Sequence, residues 1–278
     1  MPEASVIIGA YDSLPYLKLC IRALERQTFR DFEALVADDG SGPEVGAWLR
    51  ARKSFFPLRH VWQEKRGFRK CRILNRAVME ARGRYIVFLD ADCIVARDFL
   101  DVHFRSRRRG EFLGGRRVMM GIPVSERVTA EMVDRGYFDG PTLWGLYHTL
   151  RGGLRYYEEA LRPLYRLRGN SPFSLLGCNF SIHREDLLSV NGFDEEYEHR
   201  GGGEDTDVSY RLEKAGFAMR SVRYRAIQFH LGHERSGSKD ISAGMFRAKK
   251  ARIRDAADAK KVRSVFNPSP ASSMAGAE

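Results

Sequence analysis

Apolar and polar positions change period repeatedly along the first hundred residues. Ser5 to Ile8 is a short apolar-rich run, the pattern of a buried strand. Tyr16 to Gln27 sets Leu17, Cys20, Ile21 and Leu24 at helical spacing on one face. Phe32 to Ala37 predicts a second strand, Glu44 to Arg52 a helix, and Leu58 to Gln63 a short strand. Lys70 to Ala81 predicts a helix stopped by Gly83, and the apolar run Ile86 to Leu89 lies in a further strand. Later, Val208, Tyr210 and Leu212 mark a helix before Ala215-Gly216, and Ala226, Ile227 and Phe229 mark a short strand. Strand-helix repetition implies an α/β fold, a parallel sheet with helices on both faces. Ligands bind such sheets at the carboxyl edge, on the loops that leave the strands. Three polar loops qualify: Gly9-Ala10-Tyr11-Asp12, Asp38-Asp39-Gly40-Ser41 and Asp90-Ala91-Asp92.

Composition narrows the class. The 278 residues, 43% hydrophobic and 11% aromatic, suit one elaborated globular domain. No apolar stretch nears the roughly 20 residues that cross a bilayer. Met1-Pro2-Glu3-Ala4 leads straight into a strand with no leader pattern, so a cytoplasmic location is expected. Cys20, Cys71, Cys93 and Cys178 are far apart and form no CxxC pair, which predicts reduced core thiols. The net charge of +11 favours polyanionic partners: phosphorylated substrates, anionic lipid or nucleic acid. Basic residues crowd at Arg105 to Arg109 and again from Arg247 to Arg263.

The DAD segment carries the sharpest chemistry. Asp90 and Asp92 flank one alanine just past a strand, so they project the same way. Two carboxylates so placed repel unless a cation lies between them, and a hard divalent ion holding a diphosphate would fit. The plain alternative is a polar strand end that caps the next helix. Glu204, Asp205 and Asp207 likewise open a helix and could merely cap it. Capping needs only one of them, however, and leaves the run Gly201 to Gly203 unexplained.

Four blocks in order resemble family 2 glycosyltransferases of the GT-A fold. SVIIGAYDSLPYLKLCIRALERQTFRDFEALVADDGS resembles the opening of that family, and FLDADC resembles its metal-binding DXD motif. NGFDEEYEHRGGGEDTDVSYRLEKAGF resembles a galactosyltransferase-type segment with a Gly-Gly-Glu-Asp signature, and AIQFH resembles a histidine-bearing strand that follows it. The matches run from Ser5 to about Glu234. Gly9, Ala10 and Asp12 depart from the family's usual Pro, Thr and Asn.

The resemblance implies a GT-A (Rossmann-like), mostly parallel sheet with a helical insertion and a basic C-terminal helix. Residues 1–118 would be the nucleotide-sugar-binding half and 119–240 the acceptor-binding and catalytic half of the same domain. A basic helical tail, 241–266, and a disordered tail, 267–278, would follow. Nucleotide-sugar contacts would come from Ala10, Tyr11, Asp12, Asp39, Arg69, Asn75, Asp90, Ala91, Asp92 and Asn179. Asp92 would ligate manganese or magnesium with His230, Asp90 would act through a water, and His233 is the rival imidazole. Asp205 would be the general base, and Glu204, with Gly202 and Gly203, would hold the acceptor. The expected activity is inverting transfer of a sugar, most simply from a UDP-sugar, to a glycan or lipid-linked acceptor in a bacterial-type surface polysaccharide.

Two segments lie outside these blocks. Gly121 to Pro172 interleaves aromatics and leucines with arginines, which reads as a helical hairpin or as an acceptor-side flap. The basic stretch beyond Met245 reads as a solvated helix or as one lying on anionic lipid at the inner face of the plasma membrane. A sugar-nucleotide nucleotidyltransferase would share such a sheet, but GAYDSLPYL lacks the glycine-rich basic signature it needs after the first strand. A nucleic-acid binder would need aromatics on a basic sheet face or a recognition helix, and neither is evident.

Overall fold

The computed structural model describes residues 1–168, 173–199, 203–234 and 239–266. In chain order the strands begin with β1 (Ala4–Ala10), β2 (Phe32–Asp38), β3 (Leu58–Trp62), β4 (Tyr85–Asp90) and β5 (Cys93–Val95). They continue with β6 (Glu111–Gly114), β7 (Val118–Met120), β8 (Leu154–Arg155), β9 (Phe180–His183), β10 (Ala218–Ser221) and β11 (Gln228–His230). Seven of them form one sheet in the order β10-β6-β9-β4-β1-β2-β3. All its pairs are parallel except those of β9, which runs antiparallel to β4 and β6. The expectation of a mostly parallel α/β sheet therefore holds.

Period-2 alternation in β1 builds two cores. Val6 and Ile8 face one layer with Leu17, Ile21 and Leu24 of helix Leu14–Glu25. Ile7 faces the other with Ile73, Leu74 and Val78 of helix Lys70–Glu80. All these side chains are buried, and each such burial contributes roughly 1.5–3 kcal/mol of apolar transfer. The four thiols are buried and unbridged, as expected.

A second sheet, in the order β5-β11-β7-β8, was not expected from the sequence. Its strands are two or three residues long, too short to show a period. It matters because β11 pairs antiparallel with β5, setting His230 opposite Cys93 and so beside Asp92. The hairpin expected between Gly121 and Pro172 is corrected. Up to Arg168 that stretch holds short helices at Ile122–Ser125, Ala130–Asp134 and Leu143–Leu150, with β8 and 3-10 turns after them. Gly136, Gly140, Pro141, Gly152, Gly153 and Pro163 interrupt any longer helix. Among the described residues the basic tail is α-helical over Lys239–Lys250, with a 3-10 turn at Asp258–Lys260, and the helix packs on helix Glu204–Lys214 with Phe246 against Tyr210. Lys249 there pairs with Asp194 and Glu196, so part of its charge is used inside the protein. The tail 267–278 lies outside the described residues.

One buried ion pair anchors the helix that bears the acidic signature. Asp207 does not cap it: its carboxylate accepts from Arg211 Nε at 2.6 Å, with both side chains fully buried. Arg211 also donates to the carbonyls of Val190 and Gly192, at 2.7 Å each. Asp207→Ala would leave that guanidinium buried without its counter-charge and is expected to cost about 3–5 kcal/mol. Urea unfolding checks this; a loss under about 1 kcal/mol would assign the pair no structural weight.

Candidate active site

β1, β2 and β4 end at one edge of the main sheet. β1 runs two residues beyond the predicted Ile8, so Gly9 and Ala10 are strand and not turn. Gly9 pairs with Asp90. A Cβ at Gly9 would stand 3.3 Å from both Asp90 Oδ1 and Lys70 Cε, a tight approach that glycine avoids. Tyr11 and Asp12 follow. Asp12 adopts a left-handed φ of +43°, which Asn and Asp tolerate better than most residues, and Ser41 Oγ accepts from its amide at 2.9 Å.

Asp39 is nearly buried and accepts three hydrogen bonds: Gln63 Nε2 at 2.7 Å, the Arg69 amide at 3.0 Å and Lys65 Nζ at 3.2 Å. Lys65 Nζ also lies 3.5 Å from the centre of the Tyr11 ring. Tyr11, Asp39, Gln63 and Lys65 thus form one connected cluster beside β1 and β2. Gln63 and Lys65 carried no motif in the sequence and were missed.

Three of the expected contacts are corrected. Arg69 turns its guanidinium back onto the Glu64 carbonyl, and Lys70 faces the carboxylates in its place. Asn75 is fully buried: its amide bonds Phe193 O at 2.8 Å and Glu195 Oε1 at 2.9 Å, and its oxygen accepts from Phe193 N at 2.9 Å. It joins helix Lys70–Glu80 to the NGFDEEY block, with both of its N–H donors engaged inside the protein. Asn179 is equally buried, donating to the Arg116 and Ala226 carbonyls and accepting from His103 Nε2. Both amides were read as ligand contacts because sequence gives no direction to a polar side chain.

The DAD turn meets two separate sets of partners. Lys70 Nζ donates to Asp90 Oδ1 at 2.7 Å. Burial works against the lysine's charge, but Asp90, Glu204 and Asp205 outweigh it and raise its pKa well above the ordinary value. Asp92 turns towards His230 Nε2, 3.3 Å away, and His233 Nε2, 2.9 Å away. Ala91 closes the turn between them, its amide donating to Gly9 O at 2.9 Å. Burial lowers the His230 pKa, with Asp92 opposing. Burial also opposes ionisation of Asp92, but the hydrogen bond from His233 and the nearness of His230 overcome this and hold it at about 2.

Asp92, His230 and His233 offer ligand atoms that all lie within 4.8 Å of one another. One carboxylate and two imidazoles are a donor set for a divalent transition ion. Among the described residues His230 Nδ1 is buried without a hydrogen-bond partner, so no hydrogen bond on that nitrogen fixes the tautomer. The residues therefore fit a metal, and both histidines, not one, face the same aspartate.

Glu204 and Asp205 open helix Glu204–Lys214 behind Gly203, whose φ is +112°. Gly202 lies outside the described residues. Asp205 Oδ2 accepts the Gly177 amide at 2.8 Å, and a Cβ at Gly177 would collide with that carboxylate. Burial pushes the Asp205 pKa up, with Lys70 and the Gly177 amide opposing. Burial and then the neighbouring Asp205 raise Glu204 to about 7, and its Oε2 is buried with no hydrogen-bond partner among the described residues. An unsatisfied buried carboxylate oxygen at a helix N-terminus is poised for a hydroxyl donor from outside the protein.

The sequence profile of glycosyl transferase family 2 matches residues 5–160, more than half of the chain. This chain belongs to that family. A second profile, described as the N-terminal domain of galactosyltransferase, matches residues 163–234. The family 2 chain is similar to the chondroitin synthase of Escherichia coli, 25% identical over 81% of this chain and 34% of that protein. It is also similar to a validoxylamine A glucosyltransferase of Streptomyces hygroscopicus, 24% identical over 88% of this chain and 59% of the other. The chain thus spans less than two thirds of these relatives. Among solved structures it resembles the mannosyltransferase PcManGT of Pyrobaculum calidifontis, in complex with GDP-Man and Mn2+, with a TM-score of 0.55. That likeness has 18% identity and covers 91% of this chain and 62% of that one. S. aureus TarS in complex with UDP-GlcNAc gives a TM-score of 0.54 at 19% identity, over 84% and 60% of the two chains. The fold is GT-A, and the family match favours a glycosyltransferase over the nucleotidyltransferase alternative. No helix among the described residues is long and apolar enough to cross a membrane.

Proposed function

We propose that this glycosyltransferase moves a sugar from a UDP-sugar, with inversion, to a hydroxyl of a glycan or lipid-linked saccharide. One observation carries the reading. Asp92, facing His230 and His233, and Asp90, paired with Lys70, leave the same turn, and Glu204 and Asp205 act electrostatically on Lys70 from the helix beyond. A manganese ion, when bound, would supply positive charge to the departing diphosphate. Magnesium is the alternative, and the imidazoles favour manganese.

Every other part belongs to the chain. Tyr11 would stack on the base and Asp39 would accept from its N–H, with Lys65 closing the pocket beside them. Asp90 would face the ribose, and Lys70 would hold the charge of the carboxylates as the diphosphate arrives. Glu204 would orient the acceptor. Asp205 would take the acceptor's hydroxyl proton while the oxygen bonds the anomeric carbon. The bond from that carbon to the diphosphate then breaks, and the nucleoside diphosphate leaves with the electron pair. A single displacement of this kind inverts the anomeric centre.

A bacterial surface polysaccharide is the proposed destination, in keeping with the name of the chondroitin synthase relative. Calorimetry with UDP, GDP, CDP and ADP, with and without manganese, tests the donor. UDP binding that requires manganese is expected. Preference for another diphosphate would replace the base assignment, and no binding of any would sink the whole reading.

A pH profile follows from the raised carboxylates. The pair must be ionised to work, and burial keeps it protonated on the acid side. Transfer should therefore rise with pH through an apparent pKa near 7, the value that Glu204 approaches. Initial rates between pH 5 and 9 check this; a rate constant across that range would exclude both carboxylates from the proton transfer.

A further inference from the structure

We propose that the helix Leu143–Leu150 is the surface by which this protein docks on an anionic lipid bilayer. Leu143, Leu146, Tyr147 and Leu150 are 86%, 50%, 54% and 80% exposed. Their spacing, i, i+3, i+4 and i+7, makes a single apolar stripe along the outside of the helix. The inner face is already used: Trp144 packs edge-on to Phe138 at 5.7 Å, and Gly145 backs onto the Tyr157 ring. Isolated exposed leucines need no explanation, but a whole helical stripe of large side chains does.

Charge selects the occupant. From Pro141 to Tyr157 the chain carries Arg151 and Arg155 and no carboxylate. Both arginines are exposed, and the Arg151 guanidinium lies 5.5 Å from the centre of the Tyr147 ring on the stripe. An apolar face with a tyrosine and a cationic edge matches the boundary between acyl chains and anionic headgroups. The protein's net charge of +11 adds a long-range attraction in the same direction. The helix Lys239–Lys250, the surface the composition first suggested, instead packs Phe246 on Tyr210 and pairs Lys249 internally.

The stripe is coupled to the metal-side loop through short polar links. Gly153 N donates to His148 O at 2.7 Å, and Gly121 N to Gly153 O at 2.8 Å. Helix Ile122–Ser125 begins there, and Ser125 Oγ accepts from Gly232 N, at 2.6 Å, between His230 and His233. A bilayer under the stripe would present a lipid-borne acceptor beside that loop. This last step rests on the transferase reading; the docking does not.

Co-sedimentation of the full chain with vesicles tests it, without metal or nucleotide. Two compositions are compared, phosphatidylcholine alone and phosphatidylcholine with phosphatidylglycerol in equal parts. The protein should bind the mixed vesicles. Leu143→Ser with Leu150→Ser should weaken that binding about ten-fold or more, and Arg151→Glu with Arg155→Glu should remove the preference for anionic lipid. Each variant should keep the parent's thermal midpoint and its nucleotide binding, which separates lost docking from lost fold or lost chemistry. No vesicle binding by the parent, or unchanged binding by the leucine variant, overturns the proposal. So does loss of binding on Arg252→Glu with Lys260→Glu alone. A parent dimer in sedimentation velocity that the leucine variant dissolves, without lipid binding, would instead assign the stripe to a second copy of the chain.

Discussion

Asp205→Asn is expected to slow sugar transfer by about 10²–10⁴-fold, the range that a positioned general base supplies. Asparagine has nearly the same shape, and its carbonyl oxygen still accepts the Gly177 amide that now meets Asp205 Oδ2 at 2.8 Å. What it loses is the ability to take a proton. Asp205 is bonded to Gly177 and not to the Gln63, Lys65 and Arg69 groups around Asp39, so the proposed nucleotide site should keep its affinity. The measurement is kcat alongside calorimetric binding for the same protein sample. Full transfer by the variant would remove Asp205 as base. Glu204, with its pKa near 7 and an unpartnered oxygen, would then be tested by Glu204→Gln.

Asp92→Ala is expected to abolish manganese-dependent nucleotide binding and, with it, transfer. Asp92 is the one residue of the triad that both imidazoles contact, at 3.3 and 2.9 Å, so alanine leaves the two rings with no carboxylate between them. Losing a carboxylate ligand from a three-residue site should weaken the metal by about 100-fold or more, since even partners outside the ligand set are worth 10–100-fold. His233→Ala should do less than His230→Ala, because His233 is half-exposed and water can replace it, whereas His230 is buried. Calorimetric titration of manganese into each variant decides the order. Equal affinity in all of them would move the metal elsewhere.

The first half of the fold was legible because its strands are long and wholly buried. β1, β2 and β4 carry six or seven residues each, enough for an apolar run to stand out between polar loops. The positions of Asp39, Asp90 and Asp92 followed from those strand ends, and Glu204 and Asp205 from a glycine run before a helix. What stayed hidden lacked length or direction. The second sheet is built of fragments, and its only trace was the apolar approach to His230. Asn75 and Asn179 look like ligand contacts in one dimension, yet each is turned inward to satisfy carbonyl and amide groups of distant segments. Lys65, Gln63 and Arg117 stand on loops without pattern. Arg117 Nη1 lies 2.8 Å from Cys178 Sγ, a contact between residues 61 apart that no spacing announces.

The place of β9 has a consequence for how the molecule is made. Its four residues lie between β4 and β6, although they come about sixty residues after β6 in the chain. While a ribosome is still delivering that stretch, β4 has no neighbour on one side, and the apolar run through Phe88 lies along an unpaired margin. Unpaired margins of this kind recruit strands from other nascent chains. A fragment ending at residue 118 would lack β9 and keep that margin open, so it is expected to aggregate when expressed without the residues that follow.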